Sequence, residues 1–291
     1  MTKKILAILI MLASLIWLAV FYFPDDQLHL VFCDVGQGDA ILIRKGFNQV
    51  LIDGGPDERV LQCLSDNLPF WDRTIEMIVL THPQADHLTG LISVLERYRV
   101  QSAVVNNLVN DTERFWVFRE ALLAGEAEIY HPQAGERIKL ADLDLAVLWP
   151  KERLGDALVW QREASESVLG ASTYTGDLNE TSVVLKLSYG DLDALLTGDI
   201  GQQTEKEIEA GDIEILKVAH HGSKYSTSEE FLEKVKPKLA VISVGKNRFG
   251  HPTGEVLERL LSVGAKILRT DQAGEIEIVS DGTKWQAPSL K

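Results

Sequence analysis

Only two cysteines, Cys33 and Cys63, occur in 291 residues, too few for a disulfide framework. They also lack the C-x-x-C spacing of a thiolate zinc site, so any metal must be held by histidine and aspartate. Basic charge is scarce as well: 29 Lys plus Arg stand against 43 Asp plus Glu, for a formal net charge of -14. A protein that grips nucleic acid over a wide face by neutralising phosphates should be basic. That class is excluded here, and nucleic acid stays open only as a substrate held locally by metal. Short-period repeats, low-complexity tracts and coiled-coil heptads are absent too.

What the chain does have begins with one long apolar run. After "MTKK" comes "ILAILIMLASLIWLAVFYF", residues 5–23, without a charge. At about 1.5 Å per residue such a run nearly spans a bilayer core. Lysines before it and "PDD" after it favour an inside N-terminus, which places the remainder outside the cytoplasm. A cleaved signal peptide is the rival, leaving a secreted protein. However, Phe21, Tyr22 and Phe23 stand where a small-x-small cleavage site would be. The expected organisation is therefore an anchor or signal segment over residues 1–27 and a folded domain over residues 28–291.

Beyond residue 28 the pattern turns to short apolar runs punctuated by glycine. "LHLVFCDV", "DAILIRK" and "NQVLIDGG" read as successive strands, and "IEMIVLT" as a buried strand followed by the helix "ADHLTGLISVLERY". After residue 180 strands again alternate with helices, from "TSVVLKLSYG" to "EIEIVS". The class is α/β, with hairpins and crossovers, consistent with a mixed sheet or two sheets flanked by helices. Residues 155–180, rich in Gly, Ser, Thr and acids without a period, are expected to form a mobile loop.

The chemistry-bearing residues fall at strand ends, where α/β folds place ligands. "VLT" runs into His82, with Asp86 and His87 opening the next helix; "ALLTG" ends in Asp199; "ILKVA" ends in His220 and His221, followed by Gly222 and Ser223. Asp86 alone could cap a helix and Asp199 alone could make a turn. Together with the histidines they point to a zinc or manganese site.

Several ordered motifs resemble the metallo-β-lactamase fold superfamily, and specifically the hydrolase domain of the ComEC/Rec2 competence proteins. They are "DVGQGDAILI" at 34–43, "LIDGG" at 51–55, "THPQADH" at 81–87, "NETSVVLKL" at 179–187, "LLTGD" at 195–199, "LKVAHHGSKYS" at 216–226 and "NRFGHP" at 247–252. The resemblance implies a four-layer αββα sandwich with two mixed β-sheets and one or two divalent metals at their shared rim. It assigns His82 to the first metal, Asp86 and His87 to the second, and Asp199 to the bridge between them. Gln84 replaces a second histidine of the first site, and Asn179 stands near where a middle histidine is usual, so these are weak or replaced ligands and the first site is expected to be weaker. The His220–His221 pair should supply one more ligand. Because successive side chains of a strand point to opposite sides, the two should differ in role; His220, first at the strand end, is expected on the metal, and His221 toward substrate or hydrogen-bonded in support of the site. Asp53, Gly222, Ser223 and Asn247 are expected to support the site or make its turns.

The implied reaction is hydrolysis by a metal-bound hydroxide, with Asp86 and Asp199 orienting the nucleophile and with His221, His251 and Lys246 stabilising charge or protonating a leaving group. A phosphodiester, including single-stranded DNA, is the expected substrate, with a separate DNA-uptake channel as a partner. Rival readings are hydrolysis of a cell-envelope or other small anionic ester, and a metal-binding scaffold with weakened catalysis.

Overall fold

A computed structural model of the chain describes residues 2–155, 157–161, 174 and 176–288. Most of the loop expected over residues 155–180 lies outside the described residues. The helix Thr2–Tyr22 forms where the uncharged run stands, and the apolar side chains of Ile5, Leu9 and Trp17 on it are exposed. Among the described residues, no helix is long and apolar enough to cross a membrane.

The rest is built on two sheets. The first opens with β1 (Leu28–Phe32), β2 (Ile41–Lys45), β3 (Asn48–Ile52), β4 (Thr74–Val79), β5 (Arg99–Val104) and β6 (Glu128–Tyr130). The second takes β7 (Arg137–Leu140), β8 (Leu143–Trp149), β9 (Val184–Tyr189), β10 (Leu192–Leu196), β11 (Ile215–Lys217), β12 (Leu239–Ile242) and β13 (Lys266–Arg269). Then β14 (Ile276–Ser280) and β15 (Trp285–Gln286) return to the first sheet. The spatial orders are β15-β14-β1-β2-β3-β4-β5-β6 and β13-β12-β11-β10-β9-β8-β7. Both sheets are mixed: β1, β2 and β3 pair antiparallel and β3 through β6 parallel, while β8, β9 and β10 pair antiparallel and β10 through β13 parallel. Strands β6 through β8 and β15 have no counterpart in the sequence reading.

Four layers follow from which faces are buried. Leu30 and Phe32 of β1 join Leu185, Leu187 and Ile215 in a core between the sheets, whereas Val31 turns outward onto Leu88, Leu91 and Phe118 of the helical layer. On the far side Leu195, Leu216 and Ala240 pack under Phe231, Leu232 and Leu260. Strands buried on both faces carry continuous apolar runs, so β1 and β11 show no exposed position at all. This is the expected αββα sandwich.

One close contact sets the site. Helix Ala85–Arg97 meets the turn after β3 through glycine on both sides: a Cβ on Gly90 would lie 1.9 Å from the Gly54 oxygen, and one on Gly54 2.4 Å from the Leu91 nitrogen. Without side chains the backbones bond directly, Gly54 N–H to the His87 oxygen at 2.7 Å and Gly90 N–H to the Gly55 oxygen at 3.0 Å. Helix and strand end are thereby locked together, with His87 in the seam.

Candidate metal centre

The carboxyl ends of β3, β4, β10, β11 and β12 deliver Asp53, His82, Asp199, His221 and Ser243 to one rim, and the helix after β4 adds Asp86 and His87. Three buried imidazoles share one arrangement: Nδ1 is engaged by an oxygen and Nε2 has no hydrogen-bond partner. His87 Nδ1 lies 2.7 Å from Asp53 Oδ2, and His221 Nδ1 lies 2.9 Å from the Ser243 carbonyl, to which it donates. His82 Nδ1 lies 3.1 Å from Thr81 Oγ1, whose hydroxyl in turn donates to Asp53 Oδ2 at 2.7 Å. The Nε2 atoms of all three are buried without partners. Such fixing of one ring nitrogen presents the other as a ligand.

Asp199 is what they face. Its Oδ2 lies 3.4 Å from His87 Nε2 and 3.3 Å from His221 Nε2, and Asp86 Oδ2 lies 3.6 Å from His221 Nε2. Ligand atoms of His82, His87 and Asp199 lie within 4.8 Å of one another, as do those of Asp86, His87 and His221. Orphaned imidazole nitrogens around buried carboxylates are the donor chemistry that suits a divalent metal, so the residues present fit one.

Charge in the cluster is strongly coupled. Burial opposes a proton on His87, yet the Asp199 and Asp53 carboxylates outweigh it and hold the imidazole well above its ordinary range. His221 is likewise opposed by burial but lifted to about 10 by Asp199 and Asp39. Burial and the charge on His87 push His82 well below its usual value. Burial works against ionising Asp199, but His221, His87 and Lys217 keep it well below the carboxylate range.

The histidine pair is placed in the reverse of the expected order. His221 enters the cluster, whereas His220 stays half-buried at its edge, its ring 5.6 Å from that of His251. Strand alternation does not govern here because β11 has already ended. Both residues sit in a tight turn with left-handed backbone, His220 at φ 50° and His221 at φ 52°. Gly222, at φ +82°, continues the turn against Pro252, and Ser223 N–H donates to the His220 oxygen at 2.9 Å.

The remaining expected residues are scattered around the centre. Gln84 occupies the N-cap of helix Ala85–Arg97, half-exposed and making no capping bond. Asn179 has its side-chain oxygen buried without a partner, while its backbone oxygen accepts from Ser182 Oγ, which lies 3.2 Å from His82 Nδ1. His251 is half-buried. Burial and the neighbouring His220 and His221 lower it to about 4, so near neutral pH it is uncharged and suited to accept a hydrogen bond more than to stabilise charge. Lys246 is exposed on the loop that Asn247 staples by accepting from Phe249 N–H at 3.0 Å and His251 N–H at 3.1 Å.

Two buried residues were missed: Asp39, closing "GQGD", and Lys217, inside "ILKVA". The signal for Lys217 was available, since a lysine in a strand with no exposed neighbour needs a buried anion. The two cysteines are joined in a disulfide beneath the first sheet.

The family model described as the metallo-beta-lactamase superfamily matches residues 33–246. ComE operon protein 3 of Bacillus subtilis (strain 168) is 30% identical over 290 residues, covering 89% of this chain and 34% of that protein. Competence protein ComA of Neisseria gonorrhoeae is 27% identical over 264 residues, covering 87% and 32%. The chain thus spans about a third of the length of these curated relatives. Among solved structures, the metallo-beta-lactamase fold protein YhfI from Bacillus subtilis superposes with a TM-score of 0.55 at 10% identity, over 86% of this chain and 99% of that one. From the matched family model and the imidazole–carboxylate rim together, this chain is a hydrolase of the metallo-beta-lactamase superfamily.

Proposed function

We propose that the protein is a metal-dependent phosphodiesterase that acts outside the cytoplasm, with single-stranded DNA among its substrates. The observation that carries this reading is the convergence of three unpartnered Nε2 atoms, from His82, His87 and His221, on the carboxylates of Asp199 and Asp86. In this reading His82, Asp86, His87, Asp199 and His221 hold one or two zinc or manganese ions, with Gln84 and Asn179 as weak contributors. Bound there, a divalent metal lowers the pKa of water and polarises a phosphoryl oxygen. The chain's own residues do the rest. Asp86, kept ionised by His221 and His87 against the effect of burial, accepts a hydrogen bond from the attacking water. Asp53 and the Ser243 carbonyl keep His87 and His221 in the ligating tautomer. Lys246 and Arg248, exposed at the rim, contact the anionic substrate, and the neutral imidazole of His251 donates its one N–H to an oxygen of it.

Support for the substrate class comes from the competence protein among the relatives, and support for the compartment from the Cys33–Cys63 disulfide, which is at home in an oxidising environment. In this reading the uncharged run over residues 5–23, with its exposed apolar side chains, holds the domain at the membrane surface, and a DNA-uptake channel is the natural partner. The test is turnover of the chelator-stripped, manganese- or zinc-reloaded full chain on single-stranded DNA, a simple phosphodiester and a small carboxylic ester. Metal-dependent cleavage of the first two, abolished by Asp199→Asn, is expected. Cleavage of the carboxylic ester alone would overturn the substrate class, and no turnover by a metal-loaded protein would favour a scaffold.

A further inference from the structure

Lys217 is a lysine with no exposed surface, at the end of the central strand β11 between β10 and β12. Alternation along β11 turns it to the same side as Ile215, into the space between the sheets, while Leu216 packs against the outer helices. An ammonium has three protons to donate, and two hydrogen bonds hold this one. It donates to the Gly198 carbonyl at 2.7 Å and to Asp199 Oδ1 at 3.2 Å, and it forms an ion pair with Asp39 Oδ2. Asp39 belongs to the loop between β1 and β2 of the first sheet, and Asp199 to the end of β10 in the second. The lysine therefore ties the two sheets together through the two carboxylates.

Its effect on Asp199 is specific to one oxygen. Oδ1 is held by Lys217, and Oδ2 is left facing His87 Nε2 at 3.4 Å and His221 Nε2 at 3.3 Å. A carboxylate free to rotate would exchange its oxygens; this one is clamped. With no exposed surface, Lys217 cannot touch substrate.

We propose that Lys217 is a positioning residue for the metal, committing Asp199 Oδ2 to the three-histidine side and fixing that carboxylate across the sheet interface. The inference rests on the metal-centre reading above. The alternative role is a buried ion pair that matters to folding alone, and metal affinity separates the two.

The experiment uses the full chain, stripped with chelator, with manganese(II) binding followed by its electron paramagnetic resonance signal and by calorimetry. Lys217→Met is the first variant. Because it leaves the buried Asp39 with only His221 Nδ1 at 3.5 Å and His87 Nδ1 at 3.9 Å to balance it, the second is Lys217→Met with Asp39→Asn, which removes that charge. The expected result is manganese binding about 10- to 100-fold weaker than wild type in each folded variant, the range typical of groups that orient metal ligands. Wild-type affinity in either folded variant would overturn the inference while leaving the metal centre intact. Failure of both variants to fold would overturn it in favour of the purely structural role. If the wild type itself bound no manganese or zinc, the metal-centre reading would fall and this inference with it.

Discussion

His87 Nδ1 and Asp53 Oδ2 lie 2.7 Å apart, both fully buried, in a contact that joins the end of β3 to the helix after β4. Asp53 also accepts from Thr81 N–H at 2.8 Å, so the carboxylate is itself held in place. Asp53→Asn would keep the shape but weaken the bond that orients His87. Metal affinity is expected to fall about 10- to 100-fold, measured by competition with a chromogenic chelator, while the fold persists by circular dichroism.

The histidine pair separates by burial and direction. His221 points its free Nε2 at Asp199 and Asp86, and His220 rests against His251 instead. His221→Ala should cut metal occupancy severely, whereas His220→Ala should spare the metal and lower turnover on phosphodiesters. Elemental analysis of the two purified variants checks this, and metal loss confined to His220→Ala would reverse the assignment.

Gln84 offers an amide oxygen where imidazole would bind zinc more tightly. The wild type is expected to hold one metal firmly and a second weakly, and Gln84→His should raise occupancy of the weaker position. Calorimetric titration of stripped protein reads both stoichiometries. Two tight, equal sites in the wild type would contradict the expectation.

Cys33 and Cys63 close a loop spanning a sequence separation of 30. By the chain-entropy estimate a cross-link of that size contributes about 3–4 kcal/mol. Replacing both by serine should lower the unfolding free energy in urea by up to about that amount, and the native protein should show no free thiol on quantitation. A full complement of reactive thiols would remove this support for an oxidising compartment.

How legible the site was in the sequence depended on where each residue sits along its element. Asp53, His82 and Asp199 were readable because apolar strands run into them and strand ends gather at one rim, and Asp86 and His87 because they open the helix that follows. His220 and His221 were ordered wrongly because period-two alternation was carried past the end of β11 into a left-handed turn. Lys217 carried a signal as a lysine inside an apolar strand, but its partner Asp39 lies 178 positions away in sequence and could not be paired with it there. The edge strand β7 alternates exposed and half-buried positions with no apolar run to announce it. The two cysteines gave no spacing signal, since a pairing between a strand end and a distant helix is a property of the fold.

A divalent metal is expected to sit among the Nε2 atoms of His82, His87 and His221 and the carboxylates of Asp86 and Asp199. Anomalous diffraction from crystals of the manganese- or zinc-loaded protein tests it most directly. An anomalous peak is expected within bonding distance of His87 Nε2, His221 Nε2 and an oxygen of Asp199, with none on His220 and with Lys217 still on Asp199 Oδ1. A peak between His220 and His251, or no ordered metal in a protein soaked to saturation, would contradict it.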